Sequence, residues 1–146
     1  MVKPRSISRF EGWYFFAIAL SLASTALGWS DMSSYTDAVI AESGASSRSL
    51  GFVLLFSSVV MFLVLALIVW GAIVLSRLGA ARWVLAALVA YAAYAVAMRA
   101  ANIAIELGLI ADIAAVASAA IAVSFLFRAD AKAWFGRDDG QVSDQG

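Results

Sequence analysis

Residues 51–76 read GFVLLFSSVVMFLVLALIVWGAIVLS, a run without one charged side chain. At a rise of ~1.5 Å per residue, about 20 apolar residues cross a ~30 Å hydrocarbon layer, so the run is long enough to span a bilayer. A chain of 146 residues has too little interior to wrap protein around a helix apolar on every side. The reading outward from residue 51 therefore starts from a transmembrane helix.

Three more such segments flank it. Residues 10–29, FEGWYFFAIALSLASTALGW, precede it. After the basic turn with Arg77 and Arg82 come residues 83–104, WVLAALVAYAAYAVAMRAANIA, and residues 110–127. Gly108 is expected to mark a tight turn between these last two. The alternative, one helix from Trp83 to Phe127, would be about 67 Å long, twice the hydrocarbon layer. Lys3, Arg5 and Arg9 before the first segment also suit a signal peptide, but Glu11, Trp13 and Tyr14 read as an interfacial anchor of a retained span.

Composition agrees. The chain is 64% hydrophobic and 14% charged, with mean hydropathy +0.92, against about 45–50% and about 25% in soluble domains. Formal net charge is zero, which gives no case for nucleic acid as a partner. Without Cys or His, disulfides, the common zinc and copper sites, His- or Cys-held haem, and Ser-His-Asp or Cys-His catalysis are excluded. Neither an enzyme nor a cofactor or metal site is expected, although carboxylate- or Lys-based chemistry remains formally open.

The basic residues set an orientation. Lys3, Arg5, Arg9, Arg77, Arg82, Arg128, Lys132 and Arg137 fall on one side of four crossings, and only Arg48 and Arg99 on the other. The positive-inside rule then places both termini in the cytoplasm. Trp13, Trp29 and Trp83 fall where aromatic belts form. The fold expected is an all-α integral membrane protein, a four-transmembrane-helix bundle forming a single membrane domain over 1–146. Residues 30–50 form its one long loop, with a short external helix expected at Asp37–Ser43 capped by Thr36 and stopped by Gly44. Residues 128–146 form a cytoplasmic tail in which Trp134 and Phe135 dip into the headgroup layer.

Helices associate in lipid chiefly through close packing of small residues. The third segment carries Ala86, Ala90, Ala93, Ala97, Ala100 and Ala104 at alternating spacings of four and three, which is one helix face. Ala17, Ser21, Ser24 and Gly28 repeat the spacing in the first segment, and Ala111, Ala115, Ser118 and Ala122 in the fourth. These stripes are expected to be the internal seams, with Ala93 opposite Ser118, and the bulky second segment to face lipid or a partner. A hairpin centred near Ile105–Glu106 pairs positions whose numbers sum to about 211. It sets Arg99 opposite Asp112, with Asn102 and Glu106 on the Arg99 face. This polar corner suits either an interhelical pair or an ion or ligand site.

The two ends, RFEGWYF and SFLFRADAKAWFGR, together resemble a group of small four-helix inner-membrane proteins of bacteria that share an Arg-Phe-Glu opening and a Leu-Phe-Arg-x-Asp-Ala-x-x-Trp-Phe ending. The resemblance rests on about 20 residues and implies a bacterial inner membrane, with no chemistry attached. With no catalytic constellation, the chain is expected to be a structural or accessory membrane protein, packing as a homo-oligomer or as a small subunit of a larger membrane complex. The alternative is a small channel or transporter using the polar corner.

Overall fold

A computed structural model describes residues 3–42, 48–102 and 106–135. Among them are six helices: α1 (Arg5–Leu27), α2 (Trp29–Glu42), α3 (Arg48–Val74), α4 (Ala81–Asn102), α5 (Leu107–Leu126) and α6 (Ala129–Phe135). Four of these, α1, α3, α4 and α5, are long and apolar enough to cross a membrane. Their bounds lie within a few residues of the four segments read from hydropathy. The bundle has a terminal end, with Lys3 and α6, and an α2 end.

The first and last long helices form the closest-packed pair, antiparallel, and α4 lies against α5. On α1 the buried positions Ile7, Phe10, Tyr14, Ala17 and Ser24 recur at spacings of three, four and seven. On α5 the buried set includes Ala115, Ser118 and Ala122. Small residues thus meet along this seam as the sequence suggests, and at its α2 end the Ser24 hydroxyl donates to Gly108 O at 3.0 Å. Gly108 is correspondingly the second residue of α5 rather than the turn itself; residues 103–105 lie outside the described set.

The expectation for α4 needs correction. Its inward face carries buried Leu85 and part-buried Val89, Ala92 and Val96, whereas Ala90, Ala93, Ala97 and Ala100 are exposed and Ala86 is intermediate. Leu85 fixes this rotation: it belongs to the main buried cluster with Phe125, Leu126, Trp134 and Phe135. Setting a large side chain into that cluster turns the neighbouring stripe away by ~100°, one residue's step around a helix. Ala93 therefore does not meet Ser118.

That buried cluster lies at the terminal end. It joins Ile7 and Phe10 of α1, Ile73 of α3, Phe125 and Leu126 of α5, and Ala131, Trp134 and Phe135 of α6. Trp134 and Phe135, expected to dip into headgroups, are instead 8% and 7% exposed. Seven residues of helix folded back under the bundle let both rings fill the gap between α1, α3 and α5, a drier place than an interface. Arg77 lies 4.2 Å over the Trp134 ring. Its backbone is left-handed, φ 50°, as the turn out of α3 requires, and Leu78 N–H donates back to Ala72 O at 2.9 Å. Asp130 accepts from Ser6 N–H at 3.2 Å, tying α6 to the start of α1.

At the other end α2 exceeds the short helix expected: it begins at Trp29, and Thr36 is interior to it, its hydroxyl bonding Met32 O at 2.7 Å rather than capping. Ser43 and Gly44 lie outside the described residues. The helix packs on the start of α3 at Gly51, where a Cβ would come within 2.7 Å of Asp37 Oδ1. Trp29 meets Phe52 edge-on at 6.1 Å.

Candidate functional site

Between α1, α3, α4 and α5 lies a half-open cavity of about 300 Å³, walled by Tyr14, Ser21, Phe62, Ala66, Leu88, Ala92, Ala115 and Ala119 among others. It exists because α3, which carries the bulkiest side chains, stands off the small-residue seam of α1 and α5. α1 and α3 meet through long side chains near the terminal end. The Tyr14 hydroxyl donates to Ala66 O at 2.8 Å. Trp70 Nε1 donates to Glu11 Oε1 at 3.3 Å, and Glu11 also pairs with Lys3. Phe15 and Trp70 are in ring contact at 5.9 Å. These contacts and the buried cluster below them close the floor. The lining is almost wholly apolar, and such a cavity stays dry.

The polar corner stands over the cavity. Arg99 Nη1 and Asp112 Oδ2 form an ion pair at 2.6 Å, with side chains 41% and 22% exposed. Hairpin arithmetic set these two opposite one another, and the structure brings them together. Neither residue lines the cavity itself; both lie beyond Ala92 and Ala115, toward its α2 end. On α4 Arg99 follows Ala92 by seven residues, and on α5 Asp112 precedes Ala115, Val116 and Ala119 by three, four and seven, so each projects on the cavity-facing side of its helix. Glu106 is exposed at the N-cap of α5 and makes no capping bond. Asn102 ends α4, and its side chain is outside the described set.

Of the interfacial residues, Trp13 and Trp83 are exposed near the terminal end, and Trp29 is half-buried near the α2 end. Trp83 stands edge-on to Phe127 at 4.9 Å. Sequence reasoning missed the roles of Tyr14 and Trp70 in bridging α1 to α3. Their polar atoms on an otherwise apolar helix were the available signal, since a buried phenol or indole seeks a partner. It also missed Ser6 and Asp130. Asp130 is held below the usual carboxylate range by the Ser6 side chain first, opposed next by desolvation, with lesser lowering by the N–H groups of Ser6, Asp130 and Ala131. The Ser6 hydroxyl itself has no partner of good geometry, so the firm contact is the Ser6 N–H. Among the described residues no three carboxylates converge as a metal site would need.

No protein family, curated protein or solved structure matches the chain.

Proposed function

We propose that this chain is a structural or accessory membrane protein that works by helix association, as a homo-oligomer or as a small subunit of a larger membrane complex. The observation that carries the reading is the outward face of α4. Ala90, Ala93, Ala97 and Ala100 lie exposed there in a continuous small-residue row, the kind of surface that lets two membrane helices approach closely. Tyr91 and Tyr94 stand beside the row, 72% and 63% exposed, near the middle of a span from Ala81 to Ala101. A phenol facing hydrocarbon leaves its hydroxyl unsatisfied, at a cost that a carbonyl or hydroxyl on a second helix removes.

The same reading sets the chain in a bacterial inner membrane with both termini cytoplasmic, supported by the distribution of Lys and Arg and by the resemblance of its two ends. Lipid covers the remaining apolar surface, above all α3. The channel or transporter reading would use Arg99, Asn102, Glu106 and Asp112 as a mouth. The apolar cavity beneath offers a hydrated ion no ligands, which favours association. If liposomes containing the protein nevertheless pass ions, and Arg99→Ala abolishes the flux, the channel reading replaces this one.

Purification in mild detergent tests the proposal. The wild type is expected to run as a defined oligomer or with a stoichiometric membrane partner. Ala93→Leu is expected to shift it to a monomer of unchanged helix content. A wild type that is monomeric and partnerless in native membranes as well as in detergent contradicts the reading.

A further inference from the structure

We propose that the cavity and the Arg99–Asp112 pair together form a binding site for one zwitterionic, amine-bearing phospholipid, with an acyl chain in the cavity and the phosphoethanolamine headgroup at the pair. This site is separate from the outward face of α4 and does not depend on the association reading.

The cavity selects an aliphatic chain. Its height follows from its walls: Tyr14 to Ser21 on α1, and a matching seven-residue step from Phe62 to Val69 on α3, give roughly 10 Å along the bundle at ~1.5 Å per residue. About 300 Å³ of that shape admits a stretch of a single flexible chain and is too narrow for a helix, whose backbone and side chains measure ~10 Å across. The Tyr14 hydroxyl is already engaged by Ala66 O, so the floor presents no free polar group to reward a polar ligand. The terminal-end cluster of Phe10, Ile73, Phe125 and Trp134 shuts that side against a headgroup. The headgroup must therefore lie toward the α2 end.

There the charges select its type. Arg99 and Asp112 lie on the cavity-facing sides of α4 and α5, one cation beside one anion. Only Nη1 of Arg99 and Oδ2 of Asp112 are used between them. A guanidinium has further N–H donors for a phosphate, and Asp112 Oδ1 remains as an acceptor for an ammonium. An anionic headgroup would gain Arg99 but be opposed by Asp112 and by exposed Glu106. A phosphate bearing a primary ammonium satisfies both members of the pair at once.

The full-length chain, purified in mild detergent and relipidated with equal amounts of phosphatidylethanolamine and phosphatidylglycerol, is analysed by native mass spectrometry. The wild type is expected to retain one phosphatidylethanolamine per chain, with roughly tenfold preference over phosphatidylglycerol. Ala92→Phe and Ala119→Phe, which fill opposite walls, are expected to lose retained lipid of both kinds, with helix content checked by circular dichroism. Asp112→Asn is expected to keep a bound lipid but lose the preference. Equal retention of the two lipids by the wild type, preference for the anionic one, or detergent alone in the cavity would overturn the proposal. So would undiminished retention in a folded wall-filling variant, or an unchanged preference in Asp112→Asn.

Discussion

Asp130 shows how much one hydrogen bond can be asked to do. Its carboxyl, held below the usual range by its contact with Ser6, contributes to docking α6 only while ionised. A depressed folded-state pKa gives stability that is complete above the unfolded value and is lost as pH falls through the folded one. Acidification below the ordinary carboxylate range should therefore loosen α6, read as a change in Trp134 emission, and Asp130→Asn should flatten that response. The carboxylate is exposed, so the effect should be small and should shrink in high salt. Arg99 and Asp112 are likewise only part-buried. A double-mutant cycle on them should give a coupling of about 0.6 kcal/mol, the average for polar contacts between membrane helices. A coupling of several kcal/mol would mean that the pair is drier than the structure shows. Ser6 and Asp130 are 124 positions apart and Arg99 and Asp112 only 13, and only the second pair was legible beforehand, because a hairpin fixes which positions face each other. Ser6 and Asp130 meet through the fold-back of α6, which no local pattern specifies.

Among the elements, the seams and the free faces should respond in opposite ways to the same kind of change. Ser118→Leu places extra volume in the tight α1–α5 seam and should lower thermal stability in detergent by about 1–3 kcal/mol. Ala93→Leu points away from the bundle and should leave unfolding of the separated chain nearly unchanged while weakening association. If Ala93→Leu destabilises the monomer as Ser118→Leu does, α4 turns its Ala93 face inward after all. Gly51→Val should push Asp37, Thr36 and Ile40 away from α3 and speed hydrogen exchange across α2. Global unfolding should move little, since α2 has no buried residue. Four apolar helices were readable from hydropathy because length and polarity alone define them. The stripes on α1 and α5 were readable because small residues there are also the ones that pack. On α4 the same spacing misled: Ala recurs on more than one face, and a single Leu85 in the terminal cluster decides which face turns inward. The length of α2 was hidden by its serines, which bond back to the helix backbone at Ser33 and Ser34 where a loop was expected. The cavity was not legible at all, since it arises from where α3 stands and not from any residue pattern.

For the whole molecule, two pairs of ends determine the architecture. The start of α1, the end of α5 and α6 meet at one end, and α2 lies at the other. Reporter fusions before residue 3 and after residue 135 should accordingly read the same side of the membrane, and one within α2 the opposite side; a split between the two terminal reporters would refute four crossings. The central claim is that the chain acts through the outward face of α4. The sequence contains no Cys, so a single introduced thiol is unambiguous. Ala93→Cys and Met61→Cys, the second on the exposed face of α3, are each labelled with a benzophenone maleimide in native membranes and irradiated. Position 93 is expected to give one discrete protein adduct, either a chain dimer or a defined heteromer, and position 61 only lipid adducts. Lipid adducts alone from position 93, or a protein adduct from position 61 in their place, would contradict that claim.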